Sequence, residues 1–249
     1  MEEAIIAWSS LLAPTLLGNR MAFRHVVKST LRRLTPWRAT RGADRHALVG
    51  DPTLASMKRD FQITFLRNNG LLEQHKFLDL GCGTLRGGIP IIQHLVPGQY
   101  YGVDVRPTVI AEARRELHDH DLDHKQPTLV CLSEVPERFR NLCFDIVWAF
   151  SVLIHMHDAD FRQTMRFVAD HLCPGGRFFA NVNIGNEESR SRWQGFPVVT
   201  RPLTFYERES AAVALKPAVL GSLERLGHRS GRPEQDQQIM LCFTKDSTS

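Results

Sequence analysis

The sequence has only five cysteines in 249 residues, Cys82, Cys131, Cys143, Cys173 and Cys242, with no C-x-x-C pair and no Cys/His ligand spacing. This argues against a zinc or iron–sulfur site and against a disulfide framework, and reads as reduced, mostly buried thiols in a cytoplasmic protein. No apolar run at the N-terminus suits a bilayer. The stretch Ala4 to Leu17 is broken by Ser9, Ser10 and Pro14 and falls short of the roughly 20 residues a span needs. Glu2 and Glu3 stand where a secretory leader carries positive charge, so export is disfavoured, and Met21 offers an alternative start. Internal repeats and low-complexity tracts are also missing.

A uniform basic charge is lacking too. The formal net charge is +4, but residues 1–41 hold seven Lys/Arg against two Asp/Glu, leaving the other 208 residues close to −1. Basicity belongs to an arm, and the body presents no electrostatic case for nucleic acid. With 43% hydrophobic and 23% charged residues, the chain can bury one large core. The expected organisation is a basic, partly helical N-terminal extension over residues 1–50 and one domain over 51–249. Within the arm, Phe23, Val26, Val27, Leu31 and Leu34 fall at helical spacing opposite Arg24, Lys28, Arg32 and Arg33. That pattern suits either a cap packed on the domain or a contact with a membrane surface or protein through residues 20–41.

A second helix is well punctuated, with Asp51 as N-cap, Pro52 in the first turn, Leu54, Met57, Phe61 and Phe65 on one face, and Gly70 as terminator. Beyond it, short apolar runs alternate with helical stretches, the signature of βαβ units and a parallel sheet. Strands are expected at 77–80, 100–105, 128–132, 144–150 and 177–182, and helices near 87–95, 108–118 and 158–172. Thr204 to Glu207 has the form of a capping box opening a helix that ends before Pro217. Strands around 218–223 and 238–243 complete the sheet.

The most informative segment is Phe77 to Gly88, an apolar strand running into a glycine-rich turn and then a helix. Gly81 and Gly83 permit tight backbone geometry and close approach of a ligand, and the following helix start offers unpaired N–H groups. Asp104 ends the next strand, 21 residues past Gly83, where a carboxylate can accept from both hydroxyls of a ribose. Dinucleotide enzymes share this logic. Their fingerprint, however, wants a third glycine where Arg86 stands, with Gly87 one residue late, which disfavours an NAD(P) oxidoreductase.

Asp79-Leu-Gly-Cys-Gly83 resembles motif I of the class I, seven-stranded S-adenosylmethionine-dependent methyltransferases, and Tyr101-Gly-Val-Asp104 resembles their motif II. Phe144 to Phe150 followed by Leu153 to Asp158 is similar to their fourth-strand segment, and Pro174-Gly-Gly176 to the turn before the fifth. The similarity runs in order over about residues 52–245. It implies a doubly wound α/β fold with a mostly parallel seven-stranded sheet and S-adenosylmethionine as cofactor. By the same resemblance, Gly81, Cys82 and Gly83 line the methionine moiety, Asp79 orients it, and Asp104 with Val105 holds the ribose. Phe150 and Ser151 would flank the donor after the fourth strand. The family often has an acidic residue near adenine after the third strand; here Ser133 or Glu134 is the candidate.

Methyl transfer from a sulfonium is an in-line displacement, so alignment and exclusion of water are the protein's main tasks. An oxygen nucleophile also benefits from a base. His155 and His157 lie just past the fourth strand and are the candidates, although the resembling family commonly has histidine at the position of His155 whatever the substrate. The Asn/Asp-Pro-Pro-Tyr/Phe signature of amide and exocyclic-amine methyltransferases is absent, and no carboxylate stands at Phe150 or Ser151 to hold magnesium. The expectation is metal-independent transfer to a small-molecule or glycan acceptor, on oxygen rather than nitrogen. A non-catalytic donor-binding regulator is the alternative. Asn181 to Leu203 reads as a long loop, a substrate lid or a solvated connection, whose Arg190, Arg192 and Arg201 would suit an anionic or sugar-bearing acceptor.

Overall fold

The computed structural model describes residues 45–132, 138–185, 189–193 and 196–245. The basic helix expected between Ala22 and Leu34, the stretch Ala4 to Leu17, and the pair Ser133 and Glu134 lie outside the described residues.

The first long helix, α1, spans Ala55–Asn68. Asp51 opens it through a 3-10 turn, Pro52–Leu54, its carboxylate accepting the Thr53 amide at 2.9 Å. Gly70, at φ +79°, turns the chain so that the Leu71 amide reaches back to the Leu66 carbonyl. Phe61, Phe65 and Leu66 are buried on α1, and so are Lys58 and Gln62, two polar residues on a face that packing would otherwise fill with carbon.

After α1 the chain runs through β1 (Phe77–Leu80), α2 (Gly88–His94), β2 (Tyr100–Asp104), α3 (Pro107–Asp119), β3 (Thr128–Cys131), β4 (Phe144–Ala149), α4 (Asp158–His171) and β5 (Leu172–Ile184). It continues through β6 (Ser189–Trp193), β7 (Phe196–Arg201), α5 (Leu203–Ala211), β8 (Leu215–Ser222), a single turn α6 (Pro233–Asp236) and β9 (Ile239–Lys245). Strands β3, β2, β1, β4 and β5 lie side by side in that order, all parallel. Strand β9 pairs antiparallel with β5, and β8 with β9. These are the seven expected strands. The order reverses direction between β1 and β4, which opens a crevice at their carboxyl ends.

Both faces of this sheet are covered, and alternate residues of each central strand feed opposite cores. Val147 and Ala149 join Phe161, Met165 and Phe178 on one side, while Ile146 and Trp148 join Phe65 and Phe179 on the other. Such two-sided burial is why the central strands read as continuous apolar runs.

Three sequence expectations are corrected. The stretch Asn181 to Leu203 is no loop: β5 extends to Ile184, and β6 and β7 form an antiparallel hairpin whose β7 pairs parallel with the end of β5. Within β7, Val198 and Val199 favour a strand. Helix α5 starts at Leu203 with Pro202 as its N-cap and no side-chain cap, so Thr204 lies inside the first turn and cannot cap it. Finally, Cys143 and Cys173 are joined by a disulfide, with Cα atoms 5.0 Å apart, leaving Cys82, Cys131 and Cys242 free. The pairing Phe144↔Leu172 at the start of β4 and β5 brings together residues 30 apart in sequence, which spacing alone does not reveal. No helix among the described residues is long and apolar enough to cross a membrane.

Candidate active site

The crevice at the ends of β1, β2 and β4 deepens into a cavity of about 630 Å³, within the usual range for small-molecule sites. Its floor is the turn after β1. Gly81 (φ +74°) and Gly83 (φ +57°) occupy the left-handed region, and a Cβ on Gly81 would lie 2.5 Å from a Val152 methyl. On Gly83 it would meet Val49 at 3.0 Å. The turn thus presents bare backbone that any larger residue would fill.

Of the expected donor-binding residues, Asp79, Gly81, Cys82, Gly83, Asp104, Val105, Phe150 and Ser151 all line this one cavity. Asp79 is buried and accepts a hydrogen bond of 2.6 Å from the Tyr100 hydroxyl. Burial lifts its pKa to about 7, with the Tyr100 bond opposing and the Asp104 charge adding to the rise. Asp104 ends β2 and accepts the Arg106 backbone amide at 3.0 Å and its Nε at 3.3 Å, both on Oδ1. Ser151 sits at φ +57°, rare for a residue other than glycine, and is held there by its amide bonding Asn181 Oδ1 at 2.7 Å.

The two histidines part company. His155 lines the cavity, and its Nδ1 lies 2.7 Å from the Pro197 carbonyl. A carbonyl only accepts, so Nδ1 carries the proton and Nε2 the lone pair. Burial pushes the His155 pKa down, the Pro197 bond works against this, and the Arg106 charge reinforces it. His157 is exposed, stands at the N-cap position of α4 without a side-chain cap, and is not among the residues that line the cavity. Arg201, taken from sequence for an exposed loop arginine, is 1% exposed. Its guanidinium bonds Asp158 at 2.7 Å and the Met156 carbonyl at 2.7 Å and stacks on Phe205, so it fastens β7 to α4. Arg190 and Arg192 fall on β6.

Several lining residues carried no motif. Lys58 and Gln62 of α1 and Arg86 of the glycine turn converge on one end of the cavity with Arg232 and Gln238 from the β8–β9 connection. Burial, then the charges of Arg86 and Arg232, lowers the Lys58 pKa to about 8. Burial lowers the Arg86 pKa to about 10, and its Nη1 is buried with no hydrogen-bond partner among the described residues. The one sequence signal was two polar side chains, a helical turn apart, on the apolar face of α1. The remaining wall is a strap, residues 45–50. Arg45 pairs with Glu116 and Asp119, both at 2.8 Å, and His46 bonds Thr84 at 3.0 Å. Burial works against ionisation of Glu116, but bonds from His46 and Arg45 overcome it and hold its pKa at about 2. No group of three or more His, Cys, Asp or Glu that could hold a metal occurs among the described residues.

Among solved structures, an S-adenosylmethionine-dependent methyltransferase from Clostridium acetobutylicum is 15% identical, with 77% of this chain and 92% of that one covered and a TM-score of 0.57. The glycopeptide N-methyltransferase MtfA complexed with (S)-adenosyl-L-methionine is 15% identical, with 76% and 93% covered and a TM-score of 0.54. The [4+2]-cyclase SpnF is 16% identical, with 76% and 81% covered and a TM-score of 0.56. At these identities the likeness is one of fold, and the cyclase shows that the fold alone does not name a reaction. Residues 78–178, which run from β1 through the start of β5, match the family model described as a methyltransferase domain. With that match, the strand order, the bare glycine turn and the carboxylate ending β2, residues 78–178 are similar to a methyltransferase domain, set in the fold these solved structures share.

Proposed function

We propose that this enzyme moves the methyl group of S-adenosylmethionine onto a hydroxyl of a small-molecule or glycan acceptor, with His155 as the base. The observation that carries this reading is the 2.7 Å contact between His155 Nδ1 and the Pro197 carbonyl. Its Nδ1 is fixed to the Pro197 carbonyl in the same cavity as Asp79, Gly81, Gly83 and Asp104, and its lowered pKa keeps it neutral at ordinary pH. A neutral imidazole can take a proton as an oxygen nucleophile forms its new bond.

The cavity suits the donor. Backbone at Gly81 and Gly83 gives a thioether chain close approach, Asp104 Oδ2 is unbonded by any described residue and can accept ribose hydroxyls, and Asp79 lies beside the turn to face a cationic group. Lys58 and Arg86 supply positive charge for a carboxylate, which would satisfy the orphaned Arg86 Nη1. When bound, the donor supplies an electrophilic methyl on a cationic sulfur. The chain's own part is to bind, orient and exclude water: the glycine turn and Asp104 fix the donor, the strap and the β6–β7 hairpin wall the cavity, and His155 Nε2 receives the acceptor proton.

By the family resemblance, Ser133 or Glu134 beyond β3 is proposed to lie near the adenine, with Val105 beside Asp104 at the ribose. The test is transfer of label from methyl-labelled S-adenosylmethionine to a panel of hydroxyl, amine and glycan acceptors. Labelled methyl ethers support the reading; label only in amines, unchanged by His155→Gln, overturns both the oxygen assignment and the base. Asp104→Ala should weaken S-adenosylhomocysteine binding by about 10- to 100-fold in calorimetry, the scale of hydrogen bonds to a charged group.

A further inference from the structure

Arg106 occupies an unusual position among the cavity's walls. Its backbone amide and Nε bond Asp104 Oδ1 at 3.0 and 3.3 Å. Its Nη1 donates to the Leu48 carbonyl of the strap at 3.0 Å. The central carbon of the same guanidinium lies over the ring of Phe196, the first residue of β7, 5.7 Å from its centroid. A guanidinium can do this because its donors lie in the plane and its face is free to stack, so edge and face serve different partners. Three parts of the chain distant in sequence therefore share one side chain.

The contacts continue past Phe196. Its ring is 6.0 Å from that of His155, and the next residue, Pro197, supplies the carbonyl that fixes His155 Nδ1. From the carboxylate that ends β2 to the imidazole past β4 there is thus an unbroken series: Asp104, Arg106, Phe196, Pro197, His155. Such a series is a geometric opportunity for coupling, which variants must establish.

We propose that Arg106 is a positioning residue that couples the ribose seat to the acceptor wall, so that donor occupancy orders the β6–β7 hairpin and the His155 imidazole before an acceptor enters. The inference rests on the reading of Asp104 as the ribose carboxylate. Ribose hydroxyls on Asp104 fix that side chain, Asp104 then holds Arg106 in one rotamer, and the ordered guanidinium restrains Phe196 and Leu48. Ordering paid by the first ligand need not be paid again by the second, which gives donor-first addition and a drier cavity at the moment of transfer.

Hydrogen–deuterium exchange of the full chain, with and without saturating S-adenosylhomocysteine, tests this without knowledge of the acceptor. In the wild type the ligand should slow exchange at residues 81–85 and also at 45–50 and 196–201. In Arg106→Gln the protection at 81–85 should remain, while the ratio of bound to free exchange rates at 196–201 returns to about one. Phe196→Leu, which cuts the series one residue later and leaves the Asp104 bonds intact, should do the same, and Arg106→Lys, which keeps a cation over the ring, should restore part of the effect. A brace with no coupling role would speed exchange of the hairpin in the free variant and leave that ratio as in the wild type; this result overturns the proposal. So does a wild-type hairpin that the ligand does not protect while 81–85 is protected. Absence of protection at 81–85 in the wild type would instead remove the donor reading itself, and the coupling with it.

Discussion

The part of the cavity proposed to hold the donor and the part proposed to hold the acceptor are built by different means. The first is one short stretch of chain, β1, its glycine turn and β2, where the lining residues are neighbours in sequence or sit one βαβ unit apart. The part proposed for the acceptor is assembled from the segment after β4, from β7 and from the β8–β9 connection, none of them contiguous. Backbone conformation decides the first half, and side-chain convergence decides the second. Changes in the donor half should therefore act on affinity, and changes in the acceptor half on turnover.

The strongest expected break of this comparison is His155→Ala. It should lower kcat by about 10²- to 10³-fold, the range for loss of a positioned base, with S-adenosylhomocysteine affinity held within about twofold in calorimetry. A comparable loss of donor affinity would dissolve the division between the halves. Next comes Gly81→Ala, which forces a Cβ into the Val152 methyl at a φ that side chains avoid. Strain of this kind is worth about 1–3 kcal/mol, so donor binding should weaken by roughly 5- to 150-fold while the melting temperature reports whether the fold survives.

Asp79 sharpens the comparison through pH. Its raised pKa means the folded protein holds a proton that the unfolded chain releases near the ordinary carboxylate value, so burial of Asp79 costs stability progressively as pH rises from about 4 to about 7. A cationic donor favours the ionised form. Affinity for S-adenosylmethionine should accordingly rise with pH up to about 7 and then level off. Asp79→Asn should lower it by about tenfold and remove that slope, with the uncharged thioether of S-adenosylhomocysteine showing the smaller pH dependence. Titration calorimetry across pH 5.5 to 8.5 decides it.

The smallest effect on binding is expected at the Cys143–Cys173 disulfide, which joins the starts of β4 and β5, the ends of those strands away from the cavity. Closing a loop of about 30 residues is worth on the order of 3–4 kcal/mol by chain entropy. The Cys143→Ser/Cys173→Ser double variant should melt several degrees lower and bind donor as the wild type does; a change in affinity would show that the far edge of the sheet reaches the site.

What was legible in the sequence follows the same divide. Strands β1 to β4 stand within a residue of the short apolar runs, because central strands buried on both faces carry few polar residues to blur their limits. The hairpin was read as a loop because β6 carries Ser189, Arg190, Ser191 and Arg192, polar residues that hide a strand. Arg201 looked like a surface charge until α4 and α5 closed around it, 43 residues from its partner Asp158. Lys58, Gln62 and Arg86 were missed as cavity residues, and Tyr100 as the partner of Asp79, since each is ordinary in its own segment.

By itself the sequence determined the βαβ order, the glycine turn and the carboxylate at the end of β2, all set by backbone sterics and hydrophobic periodicity acting over a few residues. Only the tertiary structure decided which histidine faces the cavity, which cysteines pair, where the buried cations gather and how Arg106 touches three walls at once. Those outcomes depend on distances between segments far apart in the chain, and such distances exist only once the sheet has closed its core.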